Sequence, residues 1–140
     1  MKRKTQAKPK TVKPRAKRAA MPKFFAVDEE MKHRAALLEA ELASWPDDVT
    51  KRMFGMVGCF RKKAIFAAVP RTRTLRSPQS IIFKLVGVPA GLSEKIQQEP
   101  RIAERAPGPG AGWHSFELRS GEDLKDALWW LNQAYNLARK

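Results

Sequence analysis

The residue types that carry most catalytic and metal chemistry are scarce in this sequence of 140 residues. It contains one cysteine, Cys59, and two histidines, His33 and His114. The neighbours of Cys59 are Gly58 and Phe60, which supply no base, so we expect a buried core thiol. No Asp, Glu or Cys stands at metal-ligand spacing from either histidine. We therefore expect no catalytic residue, no metal site and no cofactor, and we predict that the protein is not an enzyme.

The carboxylate pairs and glycine-rich stretches also have structural explanations. Asp47-Asp48 follow a predicted helix, and Glu122-Asp123 stand where the N-terminus of another predicted helix favours acids. The sequence PGPGAG at 107–112 is not followed by Lys-Ser/Thr, as a phosphate-binding loop would be. These residues indicate turns and loops.

Basic residues are the chemical signal that stands out. The net charge is +14, and residues 1–23 hold ten Lys and Arg and no acid. Residues 49–93 hold nine more, again without an acid. Such clusters are typical of proteins that bind the phosphate backbone of DNA or RNA without reading its sequence. The candidate nucleic-acid-binding residues are Lys2, Arg3, Lys4, Lys8, Lys10, Lys13, Arg15, Lys17, Arg18, Arg61, Lys62, Lys63, Arg71, Arg73 and Arg76.

A second interpretation assigns binding to the tryptophans of the C-terminal region. Trp129 and Trp130 are adjacent on a predicted helix and lie about 100° apart around its axis. One of them can pack into the core while the other contacts a protein partner, a small ligand or a second copy of the chain. In that case the basic N-terminal segment is a solubility tail, or it precedes the true start at Met21.

The basic N-terminal segment, residues 1–23, lacks the composition of a folded element. It has no aromatic residue, and Pro9, Pro14 and Pro22 interrupt any helix. Such a segment cannot bury enough surface to offset its ordering entropy, so we expect a disordered arm. Residues 24–140 are then one domain, which carries +4 of the +14 once the ten arm charges are subtracted.

Three helices are predicted by apolar spacing. Residues 28–44 place Met31, Ala35, Leu38 and Leu42 on one face, after acids that favour a helix N-terminus. A shorter helix is predicted over about 90–99, and a last helix over about 121–138. The face of the last helix that we expect to pack on a sheet comprises Leu124, Leu128, Leu131, Tyr135 and Ala138.

The strands are predicted between these helices. Residues 58–69 indicate two strands around a turn at Lys62-Lys63, with Ile65, Ala67 and Val69 on one face. Residues 81–86 and 113–118 indicate two more strands, and 71–80 a basic loop. The turn and the loop would project as two basic tips. The element order favours an α+β fold, a small mixed or antiparallel sheet packed by an N-terminal and a C-terminal helix.

Length and composition limit the number of domains and the class of protein. The length suits one domain, and no apolar run is long enough for a transmembrane helix. A single cysteine and the lack of a secretory signal pattern fit a cytoplasmic protein without a membrane partner.

Several short segments resemble a known family. In order along the chain they are Met53-Phe54-Gly55, Ile65-Phe66-Ala67, Phe83-Lys84-Leu85, Pro100-Arg101, Trp113, Asp123-Leu124, Leu131 and Ala134-Tyr135. Over about residues 45–138 they resemble the small YjbR-like and TfoX N-terminal-like domains, and their closing part is also similar to a luciferase-domain-like group. The resemblance implies an α+β domain without a known cofactor, a link of some relatives to competence regulation, and similarity to double-wing DNA-binding folds.

Overall fold

Three helices and eight strands make up the part of the chain that the computed structural model describes, residues 24–75, 77–103 and 112–138. The helices are α1 (Glu29–Ala43), α2 (Ala90–Gln98) and α3 (Asp123–Leu137). The strands are β1 (Phe24–Ala26), β2 (Asp48–Met53), β3 (Met56–Arg61), β4 (Ala64–Pro70), β5 (Arg73–Leu75), β6 (Ser80–Lys84), β7 (Ile102–Ala103) and β8 (Trp113–Glu117).

Six of the strands form one antiparallel sheet in the order β2-β3-β4-β6-β8-β7. Two-residue turns at 54–55 and 62–63 join β2, β3 and β4 into a meander. Strands β1 and β5 pair as a separate antiparallel ribbon. The predicted α+β fold is therefore confirmed, with a sheet that is antiparallel throughout the described residues.

One face of the sheet and the three helices enclose the main core. Met31, Leu38 and Leu42 of α1 lie in the same buried cluster as Trp130 and Leu131 of α3. The sheet contributes alternate residues to this cluster, among them Val57, Cys59, Val69, Ile81, Phe83 and Phe116. The opposite face carries a second, smaller cluster of Met56, Ala68, Leu75, Ile82 and Trp113, which the β1–β5 ribbon helps to cover.

The predicted helices are confirmed, with one difference in the face of α3. Helix α1 begins after Asp28, whose Oδ1 accepts a hydrogen bond from the Met31 amide at 2.8 Å. In α3 the buried face comprises Ala127, Trp130, Leu131, Ala134 and Tyr135, whereas Leu124 and Leu128 are only partly buried. The indole of Trp130 belongs to the main core cluster, and Leu124 and Leu128 pack against its margin. None of the helices in the described ranges is long and apolar enough to cross a membrane.

The strands differ from the prediction in several places, since β1, β2 and β7 lie outside the predicted strands and two further differences concern β4 and β5. Part of the predicted 71–80 loop, Arg73–Leu75, is a strand because it pairs with Phe24–Ala26. The pairing of β3 with β4 skips Phe66, since Phe60 lies opposite Ile65 and Cys59 lies opposite Ala67. This β-bulge places Phe66 on the helix-covered face with Ala67 and Val69, while Ile65 lies with the opposite cluster. The simple alternation that the sequence predicts over 64–69 is therefore broken at one residue.

Candidate nucleic-acid interface

Apart from Arg61, the predicted basic residues fall into three groups in the structure. Those of the arm, and Arg76, lie outside the described residues. Lys62 and Lys63 are exposed at the β3–β4 turn. Arg71 and Arg73 lie at the other end of β4, whose seven residues span about 23 Å at the usual rise of a strand. The two predicted tips therefore lie at opposite ends of the sheet and cannot contact one phosphate together.

The side chain of Arg61 makes contacts within the fold. Its Nη1 donates a hydrogen bond to the Tyr135 carbonyl oxygen at 3.0 Å. Its guanidinium also lies over the Tyr135 ring, 4.6 Å from the centroid. These contacts connect the end of β3 with the end of α3, so we leave Arg61 out of the candidate interface.

The end of the sheet that carries Lys62 and Lys63 also carries acids. Asp48 pairs with Arg61 across β2 and β3, and the Asp47 carbonyl accepts the Lys62 amide at 2.9 Å. The backbone therefore places two acidic residues beside this turn. This tip is the weaker candidate for an anionic ligand.

The opposite end of the sheet is built around Gly55. Its carbonyl oxygen accepts hydrogen bonds from the amides of Arg71, Thr72 and Arg73 at 2.9 to 3.2 Å. A Cβ on Gly55 would lie 2.8 Å from Thr72 Oγ1, and the φ of Gly55 is +81°. Only glycine fits this close approach. The β2–β3 turn is therefore fixed against residues 71–73.

This turn brings together cations that are far apart in the sequence. We name Arg52, Phe54, Arg71 and Arg73 the basic corner. Arg52 and Arg71 line a cavity of about 600 Å³ between α1 and the sheet, together with Lys32 and Glu39. Arg71 Nη2 lies 2.9 Å from Glu39 Oε2, which offsets one charge of the cavity. Among the described residues Arg52 and Arg73 form no salt bridge, so their charges remain available to an anion.

The basic arm joins the domain at this same corner. Strand β1 begins at Phe24, directly after the arm in the sequence, and Ala26 lies opposite Arg73 in the ribbon. The Val27 amide also donates to the Thr72 carbonyl at 3.2 Å. In the sequence, the ten arm cations are therefore followed directly by the strand that pairs with Arg73 and its neighbours.

Phe54 completes the basic corner and is the residue that sequence reasoning missed. Its side chain is 76% exposed, and its ring centroid lies 6.2 Å from that of Phe24. In the sequence, a phenylalanine beside Met53 resembles a core residue, so its exposure gave no signal. Arg52 was also absent from the predicted site residues, although it belongs to the acid-free stretch of 49–93.

A second cavity, of about 410 Å³, lies at the tryptophan-rich end. Its lining includes Lys95, Arg101, Asp126, Trp129 and Trp130. Trp129 is 42% exposed, and Lys95 Nζ lies 5.4 Å from its ring. Trp130 is buried and stacks on Phe83, which leaves Trp129 as the accessible indole of the pair.

Arg101 neutralises the carboxylates beside this cavity. Its guanidinium contacts Glu99, Asp123 and Asp126 at 2.7 to 2.9 Å. The hydrogen bond from Arg101 lowers the pKa of Glu99 despite partial burial. Burial raises the pKa of Asp123, but hydrogen bonds from the Arg119 amide and from Arg101 outweigh this and hold it below its ordinary value. Arg101 therefore favours the ionised form of Glu99 and of Asp123 and connects them to one another.

Of the cysteine and the two histidines, Cys59 lies in the core, His114 is half-buried and His33 is exposed. Cys59 is fully buried, and burial raises the pKa of its thiol far above the ordinary range. The expectation of a core thiol is confirmed. No group of three or more His, Cys, Asp or Glu within residues 24–75, 77–103 and 112–138 is arranged to hold a metal ion.

Comparison with known proteins gives no relative from which a function can be taken. No family model, no curated protein and no solved structure matches this chain. The resemblance to YjbR-like and TfoX N-terminal-like domains therefore stays a prediction. The function proposed below is drawn from the residues of the site.

Proposed function

We propose that the protein binds nucleic acid through its phosphate backbone, without sequence preference and without catalysis. The basic arm supplies most of the affinity, and the basic corner holds the domain against the same strand. The observation that supports this most directly is the position of Phe24, which directly follows the ten arm cations in the sequence and whose ring centroid lies 6.2 Å from that of Phe54 in the basic corner. Such a role suits a cytoplasmic protein, as its composition predicts.

Charge placement is the physical basis of the proposal. Each phosphate that Lys or Arg neutralises releases condensed counterions, and this release favours binding regardless of base sequence. The arm offers ten such groups. The corner adds Arg52 and Arg73, which have no salt-bridge partner within the described ranges, at the end of the sheet where the arm begins. Phosphate contacts of this kind position a protein on a strand without reading bases.

The test is a binding titration of the full chain on a fluorescently labelled 20-base-pair duplex of random sequence, measured by anisotropy at 50 mM salt. In the first variant the ten arm Lys and Arg are changed to Gln. In the second, Arg52 and Arg73 are changed to Gln. The matched control changes Lys62 and Lys63 to Gln, the same loss of two charges at the opposite end of the sheet. Thermal melts verify that all variants fold.

We expect the arm variant to lose most of the affinity, at least tenfold, because it removes the largest set of phosphate contacts. The corner variant should lose several-fold, and more than the Lys62/Lys63 control, since only the corner adjoins the arm. Equal affinity of the arm variant and the unmodified chain would contradict the proposal. So would the absence of binding at 50 mM salt.

The cavity beside Trp129 supports a second candidate function. A protein or a small ligand would bind there, at the C-terminal helix α3. An indole that is 42% exposed beside a cavity is a common anchor for a partner. A second copy of the chain is one such partner. Trp129→Ala should then abolish association, measured by sedimentation, while leaving nucleic-acid affinity unchanged.

A further inference from the structure

Phe54 is exposed far more than the fold requires. At 76% exposure it exceeds the other large hydrophobic side chains on the described surface, which are Leu37, Val49 and Trp129 at 42 to 49%. It lies at the tip of the β2–β3 turn and belongs to neither core cluster. Burial therefore does not explain why the ring is there.

The turn itself disfavours phenylalanine. Phe54 and Gly55 are the two residues of a hairpin loop, and both have positive φ, +55° and +81°. Loops of this type favour Asn, Asp or Gly at the first position, because side chains branched or bulky near the backbone are strained there. Phe54 is therefore both strained in its backbone and exposed to solvent, a combination that indicates a role outside the fold.

The surroundings of the ring indicate what it could contact. Phe24 lies on one side, with the two rings tilted by 43° at 6.2 Å, so the remainder of the Phe54 surface faces solvent. Arg52 precedes it in β2, and Gly55 binds the backbone of residues 71–73. Unlike Trp129, Phe54 borders neither of the two cavities described above, so it offers a protein partner little apolar surface. An exposed aromatic ring beside phosphate-binding cations is the combination that proteins use for single-stranded nucleic acid.

We propose that Phe54 stacks on an unpaired base, so that the protein prefers single-stranded nucleic acid or unpaired loops over duplex. The inference rests on the proposed function and names its substrate class. The cations of the basic corner hold the backbone on either side of the base. In a duplex both faces of each base are already stacked on neighbouring bases, so the Phe54 ring finds no free base face to contact.

The test compares three labelled ligands with the full-length chain at 100 mM salt. They are a 20-nucleotide single strand of deoxythymidine, a strand of 20 consecutive abasic sites with the same phosphates, and a 20-base-pair duplex. The key variant is Phe54→Asn, which removes the ring and places at the turn a residue that the positive φ favours. Phe54→Trp keeps an aromatic ring, and Trp129→Asn is the matched control for loss of an exposed ring elsewhere.

We expect Phe54→Asn to bind the single strand about tenfold more weakly, in line with the loss of one base–aromatic stack. Its affinity for the duplex and for the abasic strand should stay within about twofold of the unmodified chain, since these contacts are made by phosphates alone. Phe54→Trp and Trp129→Asn should bind all three ligands as the unmodified chain does. Asparagine should leave the melting temperature unchanged or raise it.

The outcomes separate this inference from the proposed function. Unchanged single-strand binding by Phe54→Asn, or an equal loss on the single strand and the abasic strand, would overturn base stacking while phosphate binding stands. Binding of none of the three ligands by the unmodified chain would overturn both.

Discussion

Asp48 shows what one residue can contribute to stability and its pH dependence. Its Oδ1 is buried and has no hydrogen-bond partner among the described residues. Burial raises the pKa of this carboxyl group, and the nearby charge of Glu39 raises it further. A raised pKa in the folded state means that the ionised form lowers the free energy of unfolding. This cost is absent below the unfolded pKa and grows as the pH rises through the folded one.

Asp48→Asn should therefore raise the melting temperature at pH 7, because it removes a charge that the fold leaves poorly solvated. The gain should shrink below about pH 4, where the carboxyl is protonated in both states. Thermal melts from pH 3 to 7 measure the difference. Asp47→Asn, an exposed neighbour, is the control and should change little. A lower melting temperature for Asp48→Asn at pH 7 would mean that the carboxylate makes a stabilising contact.

At the scale of elements, Arg101 connects the end of α2 with the start of α3. It binds Glu99 on one side and Asp123 and Asp126 on the other, and its guanidinium lies over the Phe116 ring at 4.9 Å. Arg101 lowers the pKa of Glu99 and of Asp123 in the folded protein. It therefore stabilises the fold at pH values above the pKa values of these carboxyl groups in the unfolded chain. This stabilisation is lost as the pH falls through the lower, folded values.

Arg101→Met should lower the free energy of unfolding by about 1–2 kcal/mol at pH 7, since three carboxylates lose a shared partner. The difference from the unmodified chain should narrow toward pH 3. Urea unfolding at both pH values measures it. The control is Arg119→Met, whose 3.8 Å pair with Glu117 is largely exposed and should contribute less than about 0.5 kcal/mol. If Arg101→Met lowers the free energy of unfolding by the same amount at both pH values, the effect comes from the packing of Arg101 on Phe116.

The face of α3 gives the second prediction at this scale. Leu131 is fully buried, whereas Leu128 is partly buried at the margin of the core. Leu131→Ala should therefore lower the free energy of unfolding by about 2–5 kcal/mol, and Leu128→Ala by clearly less. Equilibrium urea unfolding of both variants measures the order. The reverse order would place Leu128, rather than Leu131, at the centre of the face that packs on the core.

The same elements show what the sequence could and could not predict. Helix α1 was predictable because its apolar spacing and its Asp28 cap agree. Strand β2 was missed because it is an edge strand with mostly exposed residues, so no alternation marks it. Strand β1 is three residues long and exists through its pairing with β5. The bulge at Phe66 depends on cross-strand register, which no local pattern reveals.

The candidate site was only partly predictable for a related reason. The charge of Arg71 and Arg73 was visible in the sequence, but their separation from Lys62 and Lys63 depends on the direction of β4. Phe54 gave no signal, since an apolar residue between strands is usually counted as core. Exposure at a turn is a property of the folded chain.

At the scale of the whole molecule, acidic and basic residues are unevenly placed. Residues 24–48 carry seven acids against two bases, and most of these acids lie on α1. The basic corner adjoins the β1–β5 ribbon, and Phe24, the residue that follows the arm in the sequence, contacts it. An anionic strand should therefore be drawn to the basic corner and kept away from the outer face of α1. This orientation follows from the sequence of charges combined with the pairing of β1 and β5.

The most direct test of nucleic-acid binding is its salt dependence. The affinity of the full chain for a random duplex is measured from 50 to 300 mM salt, beside the variant whose ten arm Lys and Arg are Gln. If about six arm cations engage at once, the slope of log K against log salt should be about −5, from −0.9 for each phosphate neutralised. In the arm variant the slope should fall to about −2 or less in magnitude. Identical slopes for the two proteins, or affinity independent of salt, would contradict the account.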